Sequence, residues 1–243
     1  MYPHAKAWGY LQIKYNKMQK IYISGTESNK EELKLLFGDK VTYSDNIDDT
    51  TDLVIETTNY PLEIKLTKVK ELSEKCTQVI PILTSSLCVS VSEQCTVCKY
   101  PEKLVGIGVY PSMQNAKRIE VAPSKITNST ILEKTGKFFQ FLNINYSIVP
   151  DRVGLIFPRI LAMIINEAAQ VYDEKIASRE DIDTAMKLGT NYTLGPLEWA
   201  DKMGIELVYN ILTALQRDFG DDRYRPHTSL KEMVNLGKKF YDQ

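Results

Sequence analysis

Up to residue 150 the sequence alternates short runs rich in β-branched residues with amphipathic stretches of helical period. Beyond residue 150 only the helical period continues. Strand–helix alternation argues for a mainly parallel sheet covered on both faces. Helical stripes without strands argue for a bundle that packs on itself. The expected fold class is therefore α/β plus all-α, with the boundary near Pro150-Asp151.

Strands are predicted at 20–24, 41–44, 52–56, 79–83, 104–109, 118–121 and 145–149. The run DLVIE at 52–56 is continuously apolar before its final acid, as buried parallel strands are. Helices are predicted at 29–37, 62–72 and 91–98. Another is marked by Ile131, Leu132, Thr135, Phe138, Phe139 and Leu142 on one face. In the second unit, Leu161, Ile164, Ile165, Ala168 and Tyr172 form a stripe. Ser178-Arg-Glu-Asp181 resembles a capping box, and Gly189 is the expected stop. Further helices are predicted at 205–219 and 229–236.

The expected units are 19–150 and 151–243. Residues 1–18 fit neither, and Met18, directly before the first strand, is a candidate start. The first residues lack the apolar core of a signal peptide, and no apolar run reaches the length of a membrane span. The expected location is the cytoplasm, with no membrane partner. With 30 basic against 31 acidic residues the net charge is −1. That balance excludes a general nucleic-acid binder.

Cys76, Cys88, Cys95 and Cys98 lie in one stretch, the last two as a CxxC. Four thiolates can hold zinc. Buried free cysteines are the favoured reading, with Cys76 ending a helix and the CxxC lying inside another. No metal is expected.

Four segments of the second unit occur in order: RILAMIINE (159–167), SREDIDTAMKL (178–188), GTNYTLGP (189–196) and FYD (240–242). Together they resemble the C-terminal domain of the 3-hydroxyacyl-CoA dehydrogenases, including the bacterial 3-hydroxybutyryl-CoA enzymes. DLVIE (52–56), TSSL (84–87), PEKLVG (101–106) and RIEV (118–121) match the first domain more loosely. The resemblance covers about residues 19–243. It implies a Rossmann-like NAD-binding domain, a helical domain that forms a homodimer, and an acyl-CoA between them. This Rossmann-like domain is truncated: the segment after the second strand is short where the family has a helical insertion.

The resemblance also assigns working parts, and several are altered. A dinucleotide loop needs G-x-G-x-x-G for the tight turn and close approach to the pyrophosphate. The run here is Gly25-Thr-Glu-Ser-Asn-Lys30. Gly25 is present, Glu27 and Lys30 replace the other glycines, and Glu27 adds bulk and negative charge. Asp45 lies near the place of a ribose-binding acid. Lys65 matches a family lysine near cofactor and substrate, and reads equally as a solvated helix lysine. Histidine suits proton removal from a secondary alcohol because its pKa is near neutral. The run Gly106-Ile-Gly-Val-Tyr-Pro-Ser112 has Gly108 at the family's histidine position. The chain has only His4 and His227. Glu120 matches the glutamate that orients that histidine. Pro158 replaces the family's asparagine, and Ser85 matches a substrate-contacting serine. Tyr110 and Glu120 are the candidates for a substitute acid–base pair. The glycine-rich loop before the C-terminal tail is missing or shortened.

The leading expectation is a family member with lost or strongly reduced NAD-dependent activity that binds acyl-CoA or acts as a scaffold, with no cofactor. The alternative is an active enzyme that oxidises a 3-hydroxyacyl-CoA with NAD through substitute residues. A third is a different or metal-dependent reaction involving the cysteines.

Overall fold

A computed structural model describes residues 18–77, 79–113 and 118–241. The possible start at Met18 concerns residues 1–17, which lie outside the described ones. Seven strands form one sheet: β1 (Gln19–Ser24), β2 (Val41–Ser44), β3 (Leu53–Glu56), β4 (Ile82–Ser85), β5 (Leu104–Ile107), β6 (Ile119–Pro123) and β7 (Tyr146–Ile148). Their order is β2-β1-β3-β4-β5-β6-β7, parallel except for the antiparallel β5–β6 pair. The connections from β1 and β3 diverge to opposite sides, so a topological switch point lies between these two strands.

Strand periodicity divides the side chains between two layers. Leu53, Ile55, Leu83 and Val105 join a core with Leu33 and Phe37 of α1 (Glu27–Phe37) and Phe138 and Phe139 of α4 (Ser129–Phe141). Val54, Ile82 and Leu104 turn the other way, onto Val69 and Leu72 of α2 (Leu62–Lys75) and Val91 of α3 (Val91–Gln94). The first core continues into the helical half through Leu155, Leu161, Ile165, Leu197, Val208 and Leu212. The two units thus share one hydrophobic core.

The helical half contains α5 (Phe157–Asp173), α6 (Arg179–Thr190), α7 (Pro196–Met203), α8 (Ile205–Phe219) and α9 (Thr228–Leu236). Two carboxylates hold its ends. Buried Asp183 accepts the N–H groups of Leu197 and Glu198 at the start of α7, and the Tyr241 hydroxyl at 2.7 Å. Asp201 accepts the N–H groups of Phe240 and Tyr241. Phe240 and Tyr241 are therefore fastened onto α7. Asp151, at the junction of the halves, accepts from the N–H groups of Val91 and Ser92 at 2.8 Å each.

Several local expectations need correction. The fourth strand begins at Ile82 rather than 79, because Pro81 has no N–H for a ladder. Ser178 caps α6 as expected, but the helix passes Gly189 and ends at Asn191, in the left-handed region at φ 57°. Asparagine tolerates that conformation. The segment 196–203 is an unpredicted helix, with Pro196 in its first turn and Glu198 reaching back to the Gly195 N–H at 2.8 Å. The CxxC does not lie inside a helix. α3 ends at Gln94, and the N–H groups of 96–98 turn to carbonyls three residues back. β-Branched Thr96 and Val97 disfavour a further helical turn.

All four cysteines are free. Among the described residues no cluster of three or more His, Cys, Asp or Glu can hold a metal. Burial pushes the Cys88 thiol up to about 12 and those of Cys76 and Cys95 up to about 11. A native-state value above the unfolded one means the folded protein keeps a proton that the unfolded chain loses. Stability from these thiols is complete below about pH 8 and falls as pH rises through their folded values. The urea midpoint is expected to be flat from about pH 7 to 8 and to fall steadily above pH 9. A midpoint unchanged to about pH 11 would contradict the buried placement of these thiols.

Candidate functional site

The cofactor end sits at the switch point. Gly25 follows β1 at φ 135°, and an added Cβ would overlap the Thr57 hydroxyl. This glycine is required for the close approach of two backbones. Thr26 is the N-cap of α1, and its hydroxyl accepts the Asn29 N–H at 3.3 Å. Glu27 stands in the first helical turn, and its carboxylate pairs with Lys30 at 2.7 Å. The Lys30 ammonium holds that carboxyl below its usual range. The negative charge expected from Glu27 is thus partly offset by the lysine at the third glycine position. A dinucleotide would place its pyrophosphate at this helix start. Glu27 stands in that first turn where the loop motif has a glycine, and one of the helix's N–H donors is already taken by Thr26. These residues do not fit a pyrophosphate in the manner of a glycine-rich loop.

A cavity of about 420 Å³ adjoins this loop, with Thr26, Ser28, Asn29, Asn59 and Tyr60 on one side. Glu206, Met233 and Lys238 of the helical half face them across it. Asp45 is exposed after β2 and lines neither cavity.

Lys65 is neither a solvated helix lysine nor a cavity residue. It is fully buried, with its ammonium on Glu56 and 2.8 Å from the Thr84 hydroxyl. Burial lowers its pKa, and the Glu56 carboxylate opposes that shift. Glu56 and Thr84 are direct partners across β3 and β4, which explains the meeting of three polar groups in an apolar layer. Ser85 is also buried. Its hydroxyl donates to Asn59 Oδ1 at 2.6 Å, and Asn59 Nδ2 donates to the Val109 carbonyl at 2.9 Å.

The larger cavity, about 750 Å³, opens between the end of the sheet and the helical half. Gly108, Tyr110, Glu120 and Pro158 all line it. The structure thus brings together four positions that lie up to fifty residues apart in sequence. A Cβ on Gly108 would meet Leu155 at 3.3 Å, Leu87 at 3.4 Å and Tyr110 at 3.6 Å. Aliphatic and aromatic groups crowd that position.

Glu120 has backbone partners in place of a histidine. Its two oxygens accept the N–H groups of Ile156 and Phe157 at 2.7 and 2.9 Å. Helix N-termini favour a carboxylate, through both hydrogen bonds and the dipole. Pro158, in the same first turn, has no N–H to satisfy. Arg159 N–H donates to the Gly154 carbonyl at 3.0 Å. The donors that open α5 are therefore all satisfied.

Burial and the Glu120 charge push the Tyr110 hydroxyl up to about 12. The rings of Tyr110, Phe157 and Trp199 follow one another along the wall, with centroids 6.2 and 6.0 Å apart. Leu194 and Trp199 were missed as site residues. The GTNYTLGP segment, which contains Leu194 and ends three residues before Trp199, was the available signal. His227 caps α9 with Nδ1 2.8 Å from the Ser229 hydroxyl and lines neither cavity. His4 lies outside the described residues.

A mostly parallel sheet with a switch-point crevice, joined to a helical unit across a second cavity, is a Rossmann-like domain followed by a helical domain. The profile of the 3-hydroxyacyl-CoA dehydrogenase NAD binding domain matches residues 9–148, and that of the C-terminal domain matches 154–241. The chain belongs to the 3-hydroxyacyl-CoA dehydrogenase family. It is 33% identical over 198 residues to a 3-hydroxybutyryl-CoA dehydrogenase of Clostridioides difficile, covering 79% of this chain and 70% of the relative. A 3-hydroxybutyryl-CoA dehydrogenase of Bradyrhizobium diazoefficiens is 30% identical over 224 residues, covering 87% of this chain and 75% of that one. The fold matches the crystal structure of FadB2 from M. tuberculosis with a TM-score of 0.80, at 17% identity over 93% of this chain and 99% of that one. It also matches the (S)-3-hydroxybutyryl-CoA dehydrogenase of Ralstonia eutropha with a TM-score of 0.76, at 22% identity over 91% and 95% of the two chains. Among the described residues no helix is long and apolar enough to cross a membrane.

Proposed function

We propose that this chain is a family member that binds an acyl-CoA in its larger cavity and has lost most of its NAD-dependent dehydrogenase activity. One observation carries the reading. The cavity wall presents Gly108, Pro158 and a helix-capping Glu120 where the family resemblance expects its acid–base set. Oxidation of a secondary alcohol needs a group that accepts the hydroxyl proton. Neither Gly108 nor Pro158 has a side chain that can do so, and both Glu120 oxygens hold backbone donors. The first turn of α1, with Glu27 in place of glycine, supports weak NAD affinity. The cavity volume lies within the range of small-molecule sites, and its apolar wall suits an acyl chain.

The second reading is an active enzyme with Tyr110 and Glu120 as the acid–base pair. It is favoured because both residues line the same cavity. Against it, a tyrosine pushed up to about 12 keeps its proton at neutral pH. Such a group donates a hydrogen bond but is a poor base.

A homodimer through the helical half accompanies either reading. Ile156, Phe157 and Ile160 at the start of α5, and Leu188 and Tyr192 around the end of α6, support it as exposed apolar residues.

Titration calorimetry tests the reading. Acetoacetyl-CoA is expected to give a saturable heat, and NADH none, whether or not acetoacetyl-CoA is present. Tight NADH binding would overturn the reading of Glu27 and Lys30. Binding of neither would remove the acyl-CoA ligand from the proposal.

A further inference from the structure

The CxxC has no part in the site described above. Neither Cys95 nor Cys98 lines either cavity. The cavities take residues that follow β1, β3 and β5, among them Thr26, Thr58 and Gly108. The cysteines lie toward the other end of the sheet, with Cys76 directly after α2 and Lys103 directly before β5.

Local geometry brings two thiols together. The N–H groups of Thr96, Val97 and Cys98 donate to the carbonyls of Glu93, Gln94 and Cys95 at 3.2, 3.3 and 3.4 Å. Successive bonds of this span form a 3₁₀ turn, in which side chains three residues apart eclipse. The Cα atoms that close such a turn lie within about 7 Å of each other. Disulfides span Cα separations of about 4.4–6.8 Å. Cys98 is buried in the smaller core with Cys76, and half-buried Cys95 packs against its edge. The Cys95 thiol donates to the Pro101 carbonyl at 3.6 Å.

A charge stands beside these thiols. Lys103 is fully buried, and among the described residues it has no carboxylate within ion-pair distance. Its ammonium donates to the Thr77 carbonyl and lies 4.1 Å from the centre of the Tyr100 ring. Burial lowers its pKa, and the neighbouring thiols of Cys76 and Cys98 oppose that shift. Burial pushes the Cys98 thiol up, while Tyr100, Ser73 and Lys103 pull it down. A buried cation without a carboxylate favours a thiolate next to it.

We infer that Cys95 and Cys98 form a reversible disulfide by exchange with a small-molecule disulfide, oxidised glutathione being the probe. Cys95, as thiolate, attacks one glutathione sulfur. The glutathione S–S bond breaks and the first glutathione leaves as thiolate. Cys98, deprotonated beside Lys103, attacks the Cys95 sulfur of the mixed disulfide, and the second glutathione leaves. The protein loses two electrons and two protons, which convert one disulfide into two glutathione thiols. Burial leaves little thiolate at neutral pH, so the exchange takes hours. In a reducing compartment such a bond is transient and redox-responsive.

Full-length native protein is held overnight with oxidised glutathione, and free thiols are then blocked with N-ethylmaleimide in denaturant. Trypsin with a glutamate-specific protease releases QCTVCK (94–99), which separates Cys95 and Cys98 from Cys76 and Cys88. In most molecules this peptide is expected to be unblocked and lighter by its two thiol hydrogens. Dithiothreitol before blocking restores both thiols. Cys98→Ser is expected to stop at a glutathione mixed disulfide on Cys95, and Cys76→Ser to leave the 95–98 bond unchanged. The wild-type peptide is read directly, so a variant that fails to fold does not decide the test. A fully blocked 94–99 peptide overturns the inference. So does its linkage to 76–93, or a 95–98 bond that forms only in urea. Acyl-CoA and NADH binding are measured separately, and their outcome does not bear on this bond.

Discussion

Protein mixed with NADH and acetoacetyl-CoA is expected to oxidise the nicotinamide about 10²–10⁴ times more slowly than the Clostridioides difficile relative under the same conditions. That range is the usual contribution of one positioned acid–base group. Gly108, at the position the family resemblance gives to that group, has no side chain to supply it, and the first turn of α1 carries Glu27 and Lys30. Such losses do not add when residues act as a unit, so the range is not multiplied. Gly108→His alone is expected to recover less than about tenfold. Its Cβ would already touch Leu155, Leu87 and Tyr110, and the imidazole would have to displace them. Glu120 would have to leave the N–H groups of Ile156 and Phe157 to orient the new ring. Tyr110→Phe is expected to leave the residual rate unchanged. A wild-type rate equal to that of the relative would show that a different residue accepts the proton. A large loss on Tyr110→Phe would identify that residue as Tyr110.

Lys65→Met is expected to destabilise the protein by about 3–5 kcal/mol, the usual consequence of leaving a buried charge unpaired. Glu56 and Lys65 are both fully buried. Without the ammonium, Glu56 keeps the Thr58 N–H at 2.8 Å and the Thr84 hydroxyl at 3.1 Å. Two neutral donors do not replace a cation in an apolar layer. A further Glu56→Leu change is expected to return at least half of the lost stability, since well-packed apolar groups commonly match or exceed a buried pair. Urea unfolding checks both variants. The midpoint should shift with little change of slope if the native state remains compact. A loss below about 1 kcal/mol, with weaker ligand binding, would return Lys65 to the site that the family resemblance suggests.

Much of the framework is readable without coordinates. Val41–Ser44 and Ile205–Phe219 fall at their expected bounds because the pattern and its punctuation agree locally. Ser178 is legible as a cap for the same reason. The misplacements have identifiable causes. Pro81 delays β4, Asn191 rather than Gly189 ends α6, and Thr96 and Val97 keep the CxxC out of α3. In each case the backbone preference of one or two residues outweighed an extended pattern.

The site was legible as a set of substitutions and illegible as a set of contacts. Gly108, Pro158 and Glu120 could be identified from their motifs, and the structure brings all three to one cavity wall. Their present partners could not be foreseen. Glu120 matches the glutamate that orients a histidine absent here, and Lys65 is expected at the cofactor or in solvent. Both are held by residues from other segments of the chain.

The sequence by itself determined the two-part architecture, the family, and which residues stand at the motif positions the resemblance assigns, among them Glu27, Lys30 and Gly108. These are properties of residue identity and local period, which neighbouring residues suffice to specify. Only the tertiary structure decided that Glu120 caps α5 and that Lys65 is buried on Glu56. Those facts depend on contacts between distant segments, because burial, the local dielectric and hydrogen-bond partners exist only once the sheet and helices have packed.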